Sequence, residues 1–254
     1  MTYQKPLLEL VNVSKSYVSE SEEINPLRGI NLKIYEGQFI AVVGRSGSGK
    51  TTLLNIMAGL DKPTIGDILI QGSNITAMDE NSLTEIRRTT IGFIFQSFGL
   101  LPLLSAFENV ELPLRISGVE HNERFDRTKE ALEIVGLNPR SNHRPYELSG
   151  GEQQRVSIAR AIVTKPAIIL ADEPTGELDS TNAESIFGLF KDMVVERGMT
   201  IIAATHDSSL LSMADEVKEI RDGALYEVHP ADQRYRQITA ITESKNISLV
   251  TCLL

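Results

Sequence analysis

"AVVGRSGSGKTTLLN", residues 41–55, decides how this chain is read. An apolar run ends at Val43, a turn of glycines and small residues follows, and a lysine with two threonines opens an amphipathic segment. Gly44-Arg45-Ser46-Gly47-Ser48-Gly49-Lys50-Thr51 fits G-x-x-x-x-G-K-[ST] without a gap. Small residues let backbone N–H groups converge on phosphate oxygens, and a helix starting there adds its positive end. In such a cradle Lys50 reaches the β- and γ-phosphates, and the Thr51 hydroxyl sits on Mg²⁺. The plainer alternative is a glycine-rich strand–helix turn with no ligand.

The flanks supply the context that the cradle requires. "FIAVV" (39–43), "AIILA" (167–171) and "TIIAAT" (200–205) are short and apolar on both faces, as buried strands of a parallel sheet are. "TTLLNIMAGL" is expected to be a helix. "HNERFDRTKEALEIVGL" spaces Phe125, Thr128, Leu132 and Val135 at helical intervals and stops at Gly136. A further helix is expected over "SGGEQQRVSIARAIVTKP", closed by Pro166. Strands alternating with helices predict an α/β domain.

Residues 7–13, 29–34 and 67–71 read as short strands set off by the turns Glu36-Gly37 and Gly66-Asp67. Asp222-Gly223 between alternating runs signals a hairpin. The segment 75–150 is rich in helix patterns and suggests a helical lobe. The order and purpose of residues 229–254 are not legible. One domain over residues 1–228 is expected, its helical lobe at about 97–155.

Bulk properties narrow the function. The chain has 254 residues, 41% of them hydrophobic, enough for a substantial core. Its 25 basic and 34 acidic residues leave a net charge of −9, which argues against a nucleic-acid partner. A single cysteine, Cys252, excludes an intrachain disulfide and fits a reducing compartment. The N-terminus does not read as a signal peptide, and the apolar runs fall short of the roughly 18–20 residues of a membrane helix. A soluble intracellular protein is expected.

"IILADEPTGELD" sets Asp172 and Glu173 at the end of an apolar strand. Two adjacent carboxylates there can divide labour: Asp172 in the Mg²⁺ shell, Glu173 orienting or deprotonating a water. The plainer reading, a pair of solvated carboxylates at a strand end, loses ground beside a phosphate loop.

Over roughly residues 7–228 the chain resembles the ATPase subunit of ATP-binding cassette transporters, with the family's motifs in order. Tyr17 in "SKSY" matches the aromatic that stacks on adenine. Gln96 in "IGFIFQSF" matches the glutamine linking the Mg²⁺ and water site to the membrane partner. "LSGGEQQR" (148–155) matches the family signature, Asp179 in "GELD" the D-loop, and His206 in "AATHD" the histidine that contacts the γ-phosphate.

The resemblance implies a P-loop NTPase fold: a parallel-sheet core, an antiparallel β subdomain and a helical lobe. Tyr17, the loop from Gly44 to Thr52, Ser149, Gly150, Gly151 and Asp179 would touch ATP. Thr51, Gln96 and Asp172 would hold Mg²⁺, and Glu173, His206 and Gln96 would serve hydrolysis. Each match also has a structural reading: a half-buried strand aromatic at Tyr17, a loop amide at Gln96, a helix start at Asp179, a structural histidine at His206. Ser149-x-x-Glu152 is by itself a capping box. Within the family two such subunits pair head to tail, each signature covering the γ-phosphate held by the other. The second ATPase subunit is expected to be another copy of this chain, with a different ATPase as the alternative.

Arg45 stands where the family often has proline, Glu152 where glutamine is commoner, and Glu177 where small or neutral residues are usual. The interval from Lys50 to Ser149 has no sustained heptads, unlike the cassette ATPases of DNA repair. "DKPTIGDILIQG" and the stretch around Gln96 resemble the lipoprotein-release and macrolide-efflux group. That implies a membrane subunit with few spans and a large extracytoplasmic domain, the ATPase bound peripherally at the cytoplasmic face of the plasma membrane. Leu100, Leu101, Leu103 and Leu104 read either as its docking surface or as lobe core. A soluble ATP-switched regulator is the competing expectation.

Overall fold

The computed structural model describes residues 5–18, 23–206 and 211–228; the expectations placed on 229–254, Cys252 included, lie outside the described residues. In chain order the elements are β1 (Leu8–Val18), β2 (Glu23–Ile34), β3 (Phe39–Val43), α1 (Lys50–Met57), β4 (Ile65–Ile70), β5 (Ser73–Asn74), α2 (Glu80–Thr89) and β6 (Ile91–Ile94). They continue with α3 (Ala106–Ile116), α4 (His121–Ile134), α5 (Gly150–Ile162), β7 (Ile168–Asp172), α6 (Ser180–Arg197), β8 (Thr200–Thr205), β9 (Glu216–Arg221) and β10 (Ala224–Val228).

Two sheets organise these elements. One has six strands in the order β10-β9-β3-β8-β7-β6, parallel from β9 to β6 with β10 antiparallel at its edge. The other is antiparallel, with four strands in the order β2-β1-β4-β5.

The unbroken apolar runs of β3, β7 and β8 follow from this layering. Successive strand residues point to opposite faces, so each run divides between the cores on the two faces, and β3 also reaches a third cluster through Ala41 and Val43, with Leu211, Val217 and Val228. Phe39, Ile169, Ala171, Ile201 and Ala203 face a core built with α3 to α6. Ile40, Val42, Ile168, Leu170, Ile202 and Ala204 face the second core, with α1, α2 and the antiparallel sheet. Each run must therefore be apolar on both faces.

Several local expectations need correction. Gly66-Asp67 is not a turn but lies inside β4, where Gly66 has φ +92° and a β-carbon would stand 2.4 Å from the Asn12 carbonyl oxygen. β1 and β2 run further than their apolar stretches because pairing continues past irregularities near Asn12, whose N–H donates to Asn31 Oδ1 at 2.9 Å. The helix before Gly136 buries Thr128 and Leu132, but Phe125 is half exposed, set against Phe107. α5 ends at Ile162, before Pro166.

The leucines after β6 divide. Leu100 packs on the core, whereas Leu103 is 82% exposed. Buried Asn109 holds their loop, accepting from the Leu101 N–H and donating to the Leu101, Leu104 and Ser105 carbonyls.

Candidate functional site

The carboxyl ends of the parallel strands carry most of the expected residues, the edge where open α/β sheets place ligands. After β3 the loop 44–49 turns directly into α1. A β-carbon on Gly44 would stand 2.5 Å from Ser48 Oγ and 2.7 Å from the Ile220 carbonyl oxygen. At Gly49, which caps α1 with φ +105°, it would stand 2.6 Å from the Pro26 carbonyl oxygen. The chain can make this tight loop only without side chains there. Arg45, Ser46 and Gly47 form its exposed rim.

Lys50 is buried to 7% exposure, and its ammonium curls back over the loop, donating to the Gly44 carbonyl at 3.0 Å. That ammonium also pairs with Glu173 Oε1 at 3.2 Å, and Glu173 Oε2 lies 2.7 Å from His206 Nδ1. An ionised carboxylate only accepts, so with Glu173 ionised this contact assigns the ring hydrogen to Nδ1. Glu173 has φ +46°, unusual for a residue with a side chain, and its N–H donates to the Ala204 carbonyl at 2.9 Å. The backbone is thus locked to β8, and the carboxylate turns toward the phosphate loop.

Asp172, the last residue of β7, is 8% exposed. Burial pushes its carboxyl above the usual range, opposed by a hydrogen bond with Thr51. Its Oδ1 is buried without a protein partner. A buried carboxylate oxygen in need of a partner, beside the Thr51 hydroxyl, suits a hard cation such as Mg²⁺, which takes one or two protein oxygens and completes its shell with phosphates and water. Gln96, exposed beyond β6, lies beside the turn after Glu173: a β-carbon on Gly176 would stand 3.4 Å from its Nε2.

Tyr17 reaches this site from β1. Its ring is 44% exposed, the Thr52 side chain lies beside its hydroxyl, and that hydroxyl donates to Asp61 Oδ2 at 2.7 Å. Asp61 was not expected from the sequence: 44 residues separate the partners, and an aspartate after a helix carries no signal of its own.

The other expected residues form a second group. Ser149 caps α5 in a full capping box, its N–H donating to Glu152 Oε2 at 2.8 Å, and Glu152 also pairs with Arg140 at 3.3 Å. Asp179 caps α6, accepting from the Asn182 N–H at 2.9 Å. The two helix starts touch through Asn182, whose Oδ1 would lie 2.5 Å from a β-carbon on Gly151. Gly150 faces Leu178 and Phe98. Lys50, Thr51, Asp172, Glu173, His206 and Gln96 thus gather in one place, with Tyr17 at its margin. Ser149, Gly150, Gly151 and Asp179 gather in another.

Comparison with known proteins agrees with this geometry. Residues 27–176 match the family model described as ABC transporter. An uncharacterized ABC transporter ATP-binding protein of Thermotoga maritima is 46% identical over 221 residues, covering 87% of this chain and 94% of the relative. The macrolide export ATP-binding/permease protein MacB of Escherichia coli is 44% identical over 94% of this chain, which spans 36% of MacB's length. Among solved structures, the dimeric post-hydrolysis state of the ATP-binding cassette MJ0796 bound to ADP and Pi superposes with a TM-score of 0.80 at 43% identity, covering 87% of this chain and 99% of that one.

Proposed function

The chain belongs to the ABC transporter family, and we propose that it energises a separate membrane subunit of the macrolide-efflux and lipoprotein-release kind. As a member it is an ATP-hydrolysing transporter subunit with the P-loop NTPase fold. Its similarity to MacB favours this role over that of a regulator acting away from membranes. We further place it at the cytoplasmic face. Among the described residues no helix is long and apolar enough to cross a membrane, so the spans would belong to the partner. Leu103, displayed by a loop that Asn109 holds rigid, suits contact with that subunit.

One observation carries the catalytic assignment: Glu173 lies within reach of both the phosphate-loop lysine and His206. Tyr17 stacks the base, while Lys50 and the backbone N–H groups from Gly44 to Thr52 hold the phosphates. Thr51, Asp172 and Gln96 would hold Mg²⁺, which when bound would supply charge neutralisation for the phosphates. Binding requires Lys50 to exchange Glu173 for phosphate. That exchange frees Oε1 to take a proton from water as the water oxygen bonds to the γ-phosphorus and the bond to ADP breaks. His206 steadies Glu173 and faces the γ-phosphate. Ser149, Gly150, Gly151 and Asp179 close over the nucleotide of a second copy, which explains why they gather apart from Lys50.

Glu173→Gln tests this reading. It should retain ATP affinity, reduce turnover by at least about 100-fold, the low end of general-base contributions, and elute as a dimer when ATP is present. Turnover equal to wild type would remove Glu173 from the mechanism.

A further inference from the structure

Tyr17 has neighbours that the proposed mechanism does not use. Its hydroxyl donates to Asp61 Oδ2 at 2.7 Å, while Asp61 Oδ1 accepts from Lys15 Nζ at 2.6 Å and from the Lys62 N–H at 2.7 Å. The Lys15 ammonium, itself bonded to the Lys62 carbonyl at 2.8 Å, stands 4.8 Å over the centre of the Tyr17 ring. Burial and then the Asp61 bond raise the Tyr17 hydroxyl above its ordinary value, so it stays a donor at neutral pH. Burial acts upward on the Asp61 carboxyl, but its bonds from Lys15 and Tyr17 outweigh this and hold it below the usual range.

We propose that Asp61 is a positioning residue for nucleotide binding: it fixes the Tyr17 ring from its hydroxyl edge, with Lys15 closing one face and the other left for the base. The inference rests on the reading that Tyr17 stacks on the nucleotide base. A half-exposed tyrosine at a strand end would otherwise be free to change rotamer, and ordering it would weaken binding. Here the carboxylate is oriented by two donors of its own before the ring reaches it. An ammonium over one face also directs stacking to the opposite face, since ring faces attract cations and π-systems alike.

The anchor also relates the base to the phosphates. Asp61 lies just beyond the helix that begins at Lys50, and its N–H donates to the Asn55 carbonyl at 3.3 Å. Thr52, in the first turn of that helix, lies beside the same hydroxyl. Ring and phosphate loop are therefore registered to one rigid element, α1. A nucleotide whose base meets Tyr17 has its phosphates placed at Lys50.

The test compares binding of Mg-ATP with binding of Mg-tripolyphosphate, which has no base, by the full chain. Asp61→Ala should weaken ATP by about three- to tenfold, the span of one lost hydrogen bond, and leave tripolyphosphate unchanged. Tyr17→Phe, which keeps the ring and removes the hydroxyl, should show the same selective loss without disturbing Lys15 or Lys62. In a Tyr17→Ala background, Asp61→Ala should cost nothing more. Equal losses for both ligands, or full additivity with Tyr17→Ala, would overturn the positioning role. If Tyr17→Ala itself binds ATP like wild type, the stacking reading fails and Asp61 has no ring to position. Wild type binding neither ligand would instead refute the phosphate cradle.

Discussion

At Gly49 and Gly47 one loop holds two glycines for different reasons. Both have positive φ, +105° and +78°, but only Gly49 has backbone in the way, the Pro26 carbonyl oxygen 2.6 Å from where a β-carbon would stand. Gly47 has nothing within 4 Å. Gly47→Ala should therefore cost only conformational strain, about 1 kcal/mol in urea unfolding. Gly49→Ala should cost more than about 2 kcal/mol and shift the start of α1, because carbonyl and β-carbon cannot both stay in place. Equal costs would show that the approach of Pro26 is not what demands glycine. The motif identifies both positions as glycine, and only the fold tells which of them faces a wall.

Two helices begin with the same device. Ser105 and Glu108 cap α3, and Ser149 and Glu152 cap α5, each pair with side chain and backbone bonded reciprocally. Backbone N–H donation from Ser105 and from Ser149 holds the Glu108 and Glu152 carboxyls below the usual range. A depressed folded pKa means that this capping stability is fully present above the ordinary carboxylate value and is lost as pH falls through the depressed one. Ser105→Ala and Ser149→Ala should each cost about 1 kcal/mol, moving Tm by about 2–4 °C. Only Ser149→Ala should also lower ATP turnover, because only that helix start is proposed to meet a nucleotide. Matching turnover in the two variants would reduce "LSGGE" to its capping role. The Ser149–Glu152 capping box is legible in the sequence, but nothing in the pattern tells a cap that only starts a helix from one that also meets a ligand.

For the whole molecule, the decisive feature is that the residues proposed to meet ATP form two groups. One chain holds the phosphate-loop group around Lys50 and the Ser149–Asp179 group, the latter tied together by Asn182. Two copies pairing head to tail would bring each group to the other's complement, and the solved cassette MJ0796 is dimeric. Mild-detergent capture of the chain from its native membranes, read by mass spectrometry, is expected to return a partner with few spans and a large outer domain. A many-span partner would move the chain to another branch of the family. Recovery only from the soluble fraction would overturn the coupling to a membrane subunit.

Much of this molecule follows from order along the chain. The phosphate loop, the Asp172–Glu173 pair, the strands 39–43 and 200–205 and the Asp222-Gly223 hairpin are written in consecutive residues, because turn chemistry and strand burial are local demands. The division of the apolar runs between cores on opposite sheet faces, the left-handed Gly66 inside β4, the Lys50–Glu173–His206 contact and the Asp61 anchor of Tyr17 were decided by tertiary structure. Those features join residues tens to more than a hundred positions apart, and such pairs become neighbours only when packing and strand pairing supply the free energy to close the intervening chain.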